Sequence, residues 1–313
     1  MDKLIEALLA EPALAWKVVV GVLGADPASV QARRAATAVR DSPLVRALLA
    51  NPRRGRGPYK KWDGEHWVLS LLADLGYPAG ESELVPLMEA TYACWLSSEH
   101  EKFIRMIDGR VRRCASQEGN ALWSALRLGL ADGRAEELAG RLMRWQWPDG
   151  GWNCDKHPEA DSSSFMETLI PLRALALYAR TTGDRRAGQT AERAAEVFLT
   201  RRLFRRRSGG QVINPHFVHL HYPCYWHYDI LFGLKVMAEA GFLADPRCAE
   251  ALDLLESRRL PDGGFPAEET YARTTRPSAT GYSPVDWGGV SRRKMSPFVT
   301  ADALTVLRLA KRS

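Results

Sequence analysis

The chain has 313 residues, 46% of them hydrophobic and 26% charged, a globular composition that excludes intrinsic disorder. Its formal net charge is +6 and its pI about 9.1, with the excess gathered in two runs: Arg53-Arg54-Gly55-Arg56 with Lys60-Lys61, and Arg201-Arg202-Leu203-Phe204-Arg205-Arg206-Arg207. The longest apolar stretch, Leu14 to Leu23, carries Lys17 and falls short of the roughly 18–20 residues that span a bilayer, which excludes a transmembrane helix.

Taken in chain order, residues 12–23, 27–40 and 43–50 are predicted as short helices, forming a helical N-terminal extension over residues 1–61. Trp67, Leu69, Leu71, Leu72 and Leu75 precede Gly76 and Pro78, which reads as a helix stopped at a left-handed glycine. Further helices are predicted over 82–97, 116–130, 134–145, 163–181, 185–201, 223–240, 246–258 and 297–311, and strand signals are nearly absent. Three connections repeat: Pro148-Asp149-Gly150-Gly151-Trp152, Ser208-Gly209-Gly210-Gln211-Val212 and Pro261-Asp262-Gly263-Gly264-Phe265. Their spacing of about 55–60 residues marks stacked supersecondary units, each a helix pair. The more apolar helix of each pair is expected inside, and charged ones such as Arg185 to Arg201 outside. The predicted fold is all-α, an (α/α) toroid over residues 62–313 with about five inner helices.

The starts of the apolar helices carry polar residues. Asp63 precedes His66, Ser116 precedes Glu118 and Asn120, and Ser164-Phe165-Met166-Glu167 reads as a capping box. Tyr222-Pro223 and Ser296-Pro297 place proline at a first helical position. Parallel inner helices gather their N-termini, with unpaired N–H groups and roughly half a positive charge each, at one mouth. His66, Glu118, Glu167, His227 and Asp229 are therefore the expected catalytic set, at that mouth.

Residues 134–152 run from a helix carrying Leu138 and Leu142 into Gln146-x-x-x-Gly150-x-Trp152. This resembles the QW repeat of squalene–hopene and oxidosqualene cyclases, where glutamine and tryptophan tie neighbouring repeats together. Asp262-Gly263-Gly264-Phe265 looks like a copy lacking the glutamine, and the turns are also similar to those of protein prenyltransferase β subunits. The resemblance implies a toroid with an apolar cavity for an isoprenoid. The activity signatures of those families are missing: the chain has neither D-x-D-D nor D-D-x-x-D, and Tyr222 stands two residues before Cys224 where a prenyltransferase has its zinc-binding Asp.

Residues 215–229 hold four of the seven histidines, with Cys224 and Asp229. On a helix from Pro223, Cys224 and His227 share a face, so His221, Cys224 and His227 are a candidate zinc set; their spacing matches no zinc signature, and less than one equivalent of tight zinc is expected. On the same helix Asp229 shares a face with Tyr225, Trp226 and Gly233, either as a general acid under aromatic cover or as a first-turn residue. Trp62, Trp152, Tyr225 and Trp226 are candidate substrate-binding residues, and Trp67, Trp123 and Trp287 join them as cavity aromatics or as core. Cys114 is read as a nucleophile or a buried small hydrophobe, and Asp155 as a mouth residue or a loop cap. The odd count of five cysteines, the lack of a C-x-x-C pair and the lack of a secretory leader suit reduced thiols in the cytoplasm. Three functions follow: an enzyme acting on an isoprenoid or other apolar substrate, a non-catalytic toroid binding a lipid-like ligand or a protein, and a basic nucleic-acid-binding repeat protein that lacks a recognised reader motif.

Overall fold

A computed structural model describes residues 2–50, 57–276 and 279–312. The basic run 53–56 lies outside the described residues. The chain is predominantly helical. It opens with α1 (Asp2–Leu9), a wide turn of π-helix at Lys17–Val22, α2 (Val30–Asp41) and α3 (Pro43–Leu49). There follow α4 (Glu65–Leu75), α5 (Val85–Trp95) and the short α6 (Ser98–Glu101). A hairpin of β1 (Arg105–Ile107) and β2 (Arg110–Arg112) leads to α7 (Ser116–Arg127), α8 (Gly133–Trp145), α9 (Phe165–Thr182) and α10 (Arg185–Leu199). The chain ends with α11 (Ile230–Ala240), α12 (Ala249–Glu256) and α13 (Pro297–Leu309).

Burial follows the apolar pattern. In α4 and α7 nearly every side chain is buried, whereas α10 buries one stripe through Ala187, Ala191, Ala194 and Phe198 and leaves its arginines outward. Helix α4 packs on α7, α7 on α9, α9 on α11 and α11 on α13. The Lys17–Val22 turn packs on α13, and the neighbouring Trp16 ring covers Gly76 at the end of α4. The C-terminal parts of these five buried helices line one cavity, so all five run in the same sense. No helix among the described residues is long and apolar enough to cross a membrane.

The Gly-Gly turn after α8 shows how a pair is joined to its neighbour. The Gln146 side-chain amide donates to the carbonyls of Gly150 (2.7 Å) and Thr190 (2.8 Å), tying the turn to α10. Trp152 is 1% exposed and donates its indole N–H to the Leu142 carbonyl at 3.0 Å. Gly150 has φ +102°, and a Cβ there would overlap the Arg193 carbonyl of α10. Gly150→Ala is therefore expected to destabilise the protein by about 2 kcal/mol in urea unfolding. Gly188→Ala, in α10 with ordinary helical φ and only Ala179 within reach, is the control and should be neutral or stabilising by up to about 1 kcal/mol.

Three local expectations are corrected. Helix α11 does not begin at Pro223: residues 223–229 form an irregular link in which Tyr225 has φ +49°, and the helix starts at Ile230. The reason is Asp229, which is the N-cap and accepts from the Phe232 N–H at 2.7 Å. Ser164 caps α9 with its backbone only, so there is no capping box, and the Glu167 carboxylate is free for other partners. The third is the hairpin, which the period-based reading passed over because three-residue strands are too short to show alternation. Its turn, Asp108-Gly109 with φ of 50° and 68°, is a two-residue hairpin sequence that was visible in the chain.

Candidate functional site

The residues expected to be catalytic lie buried at the N-terminal end of the buried helices, and His66 Nε2, Glu118 Oε2 and His227 Nδ1 have no hydrogen-bond partner among the described residues. His66 is 1% exposed, accepts from the Trp95 indole N–H at 3.1 Å, and is pushed down to a pKa of about 3 by burial, then by Arg113. Glu118 is wholly buried in an ion pair with Arg113 at 2.7 Å, with His100 at 3.2 Å. Asp229 accepts from the His221 backbone N–H (2.9 Å) and the Phe232 N–H (2.7 Å), with the His221 Nδ1 at 2.8 Å. Both its oxygens are engaged with protein donors, and it serves as the N-cap of α11. His227 is stacked between Tyr271 (centroids 3.4 Å apart) and Trp226 (4.0 Å), and burial, then the charges on His221 and Lys61, lower its pKa to about 3.

The expected substrate-binding aromatics divide in the same way. Trp152 is core. Trp62 stacks on Tyr225 at 3.9 Å and donates to the Tyr271 carbonyl at 2.6 Å, both rings being buried. Trp226 stays half-buried beneath the Lys61 ammonium, 4.8 Å from its ring. Asp155 is exposed in a loop, and Trp67 and Trp287 are buried. His221, Cys224 and His227 do not assemble as ligands: among the described residues, the groups whose ligand atoms lie within 4.8 Å of one another are Cys114, Cys154 and Glu167, and His216, His219 and Glu269.

Glu167 also lies at this end. One oxygen accepts from the Ser116 N–H of α7 at 3.0 Å, and the other faces the Cys154 thiol at 3.7 Å. Burial raises its pKa, with Ser116, Arg113 and Cys154 opposing. The Cys154 S–H also faces the Cys114 sulfur, which lowers the pKa of Cys114 and raises that of Cys154. Two half-buried thiols and a buried carboxylate thus share one small volume.

A half-open cavity lies at the opposite end of the buried helices. It has a volume of about 260 Å³ and an apolar wall that includes Val20, Trp123, Leu177 and Val306. Six cations line it with three carboxylates. Three of those cations are neutralised: Lys17 and Lys235 each bridge Asp74 (both 2.6 Å) and Asp302 (2.8 and 2.9 Å), and Arg173 pairs with Glu239 and reaches Asp74 at 3.3 Å. Burial pushes the Asp74 pKa up, but Lys17, Lys235 and Arg173 outweigh it and hold the carboxyl well below its usual range.

The other three cations, Arg127, Arg180 and Arg308, have no carboxylate within ion-pair distance among the described residues. Arg127 lies over the Trp16 ring at 5.0 Å, and burial lowers its pKa. Arg180 donates to the Glu239 carbonyl at 3.0 Å and Arg308 to the Gly21 carbonyl at 2.7 Å. Beyond Asp74 and Arg173 a pocket of about 30 Å³ reaches Asn120, whose buried amide nitrogen has no hydrogen-bond partner among the described residues. The spacing of Lys17, Arg127 and Arg308 over the whole chain hid this site, since only the tertiary fold brings them together.

No protein-family profile matches this chain, and no curated protein matches it either.

Proposed function

We propose that the chain is an (α/α) toroid whose central cavity binds a small amphiphilic anion: a short isoprenoid-like or acyl chain with a phosphate or carboxylate head. The order in which α4, α7, α9, α11 and α13 pack supports the toroid, and the Lys17–Val22 turn, seated on α13 and joined through Lys17 to Asp74 of α4, closes the circuit. Gln146 makes the inter-repeat tie that the cyclase resemblance implies. The observation that carries the ligand is the surplus of three arginines over an apolar wall. Arg127 and Arg308 are half-buried and Arg180 is exposed; a partly desolvated guanidinium without a carboxylate is stabilised when an anion completes it, and its planar fork suits phosphate and carboxylate oxygens.

The cavity is near the lower end of small-molecule sites, which run from about 300 to 1,000 Å³, so it suits a short chain better than a triterpene. Its carboxylates argue against proton-initiated cyclisation: Asp74 and Asp302 are each gripped by two lysines, and the acid a cyclase needs must give up a proton. Binding is therefore the favoured reading over cyclisation. Nucleic-acid binding is less favoured because Arg202 and Arg205 of the second basic run are both paired with Glu250. Five free cysteines suit a cytoplasmic setting.

Calorimetric titration with geranyl diphosphate, geraniol and inorganic pyrophosphate tests the reading. The diphosphate ester should bind, and each half alone should bind at least about tenfold more weakly, since both wall and arginines contribute. Arg127→Ala should cost about 1.5–3 kcal/mol of affinity with little change in melting temperature. Equal binding of geraniol and its diphosphate, or unchanged binding to the Arg127 variant, would remove the anion from the proposal.

A further inference from the structure

We propose that Cys114, Cys154 and Glu167 form a three-ligand site for a thiophilic divalent cation, zinc foremost. This differs from the sequence-based expectation of less than one equivalent of tight zinc, because that expectation rested on a different set of residues around Cys224. The inference is independent of the cavity ligand, since the two sites lie at opposite ends of the buried helices.

The geometry is built rather than incidental. One ligand atom from each of the three residues lies within 4.8 Å of the other two. Zinc bonds of about 2.3 Å to sulfur and about 2.0–2.2 Å to oxygen, set at a tetrahedral angle, separate the two ligand atoms by roughly 3.5 Å. The distance between Cys154 Sγ and Glu167 Oε1 is 3.7 Å. The three residues come from three separately anchored segments. The Arg113 N–H donates to the Asn153 carbonyl at 3.1 Å, and Arg112 bridges Asn153, so the strand entering α7 runs beside the segment leaving the Gly-Gly-Trp turn. Continued in parallel, that register sets position 113 beside 154 and position 114 one residue further on, close enough for the Cys114 sulfur to lie within 4.8 Å of the Cys154 sulfur. The turn is in turn fixed to α9, where the Trp152 N–H donates to the Thr168 hydroxyl at 3.1 Å. Glu167 lies one residue before Thr168, and its Oε2 is held by the Ser116 N–H at 3.0 Å, leaving Oε1 turned to the thiols. A ligand carboxylate oriented by a hydrogen bond to its second oxygen is the usual support of a metal site.

The donor set selects the ion. Two sulfurs and one carboxylate oxygen suit zinc and disfavour magnesium or calcium, which take oxygen alone. On binding, both thiols lose their protons to solvent and the zinc accepts two thiolates and one carboxylate. The ligands then carry three negative charges against two positive, and Lys61, whose ammonium is electrostatically coupled to both Cys114 and Glu167, offsets the remainder. Three protein ligands leave a fourth position for water or a substrate atom, the arrangement of reactive rather than purely structural zinc.

The test uses the full chain, purified reduced and without oxygen, and titrated with cobalt(II) as a spectroscopic probe and then with zinc. One equivalent of cobalt should produce a thiolate-to-cobalt charge-transfer band of two-sulfur intensity together with tetrahedral ligand-field bands, and one equivalent of zinc should abolish both. Cys114→Ser and Cys154→Ser should each lose about half of the charge-transfer intensity or all of it. Glu167→Gln should keep the band and weaken zinc by about 10–100-fold. His219→Ala, in the surface group with His216 and Glu269, should change nothing. The wild-type spectrum counts the sulfurs even if a cysteine variant fails to fold. Absence of the band in folded, reduced protein would overturn the site, as would a band unaffected by either cysteine variant in folded protein.

Discussion

Asp74→Asn is expected to destabilise the protein by about 3–5 kcal/mol, the cost of leaving buried charge unpaired. Asp74 serves Lys17, Lys235 and Arg173 at once and accepts the Tyr222 hydroxyl at 3.2 Å. Lys17 is 4% exposed and comes from the N-terminal turn, whereas Lys235 and Arg173 come from α11 and α9. The asparagine keeps size and one acceptor oxygen but removes the charge, so three cations are left facing Asp302 and Glu239 alone. Lys235→Met in the same background should recover a large part of the loss, because it removes one of the stranded cations and retains the aliphatic stem. Denaturant unfolding of the single and double variants measures both effects. A loss below about 1 kcal/mol for the single variant would show that solvent in the cavity, not Asp74, compensates the cations. The same substitution separates stability from binding. It makes the cavity more positive, so affinity for geranyl diphosphate should rise or hold while the fold weakens.

The helices were legible because their signals are local. Gly76 at φ +83° and Gly241 at φ +88° end α4 and α11, as glycine after an apolar run implies. The amphipathic pattern of α10 matches its one-sided burial, and the nearly unbroken apolar run of α4 matches its burial all round. The start of α11 was misread because two starts compete within eight residues. Pro223 offers a fixed φ, but Asp229 offers a charged cap that also holds His221, and the capped start prevails. The capping-box reading of Glu167 failed for a similar reason. A carboxylate that finds an N–H on a neighbouring helix, here Ser116, gains a buried partner, whereas the Ser164 N–H is already donated to the Trp152 carbonyl at 2.9 Å.

The site was less legible than the fold, for a physical reason. Helix N-termini with polar residues pointed to a mouth, where Asp229 is fully engaged by the chain while buried atoms of His66, Glu118 and His227 keep no hydrogen-bond partner among the described residues. Three cations without a carboxylate sit at the other end: Arg127 closes α7, Arg180 lies in the last turn of α9, and Arg308 in the last turn of α13. Each alone reads as a cation placed to complement a helix C-terminus. Only when three such ends converge on one apolar wall does the same feature become an anion site. Cys114 and Cys154 were hidden differently, since their proximity depends on the hairpin register beside Asn153, which no periodicity announces.

Acid should destabilise this protein before its carboxylates titrate. His66 and His227 are held at pKa values of about 3, in each case chiefly by burial. In the unfolded chain both titrate near about 6.5, so between roughly pH 6 and pH 5 the unfolded state binds up to two protons that the folded state refuses. Stability therefore rises with pH across that interval, by about 1.4 kcal/mol per pH unit for each histidine. Glu167 acts in the opposite direction, because burial raises its pKa and the folded state takes up its proton first, offsetting at most one of the two. The net slope expected is about 1.4–2.7 kcal/mol per pH unit. His221 has no part in this window. Burial lowers its pKa, but Asp229 more than compensates, and the net shift is upward. Its contribution is complete below about pH 6.5 and is lost as pH rises through the folded-state value. Stability should accordingly peak near neutrality. His227→Phe keeps the stacking between Tyr271 and Trp226 and removes one proton from the balance, so urea unfolding from pH 6 to pH 5 should show a slope smaller by about 1.4 kcal/mol per pH unit. An unchanged slope would mean that His227 takes up its proton in the folded protein, and the stack would then be holding an imidazolium.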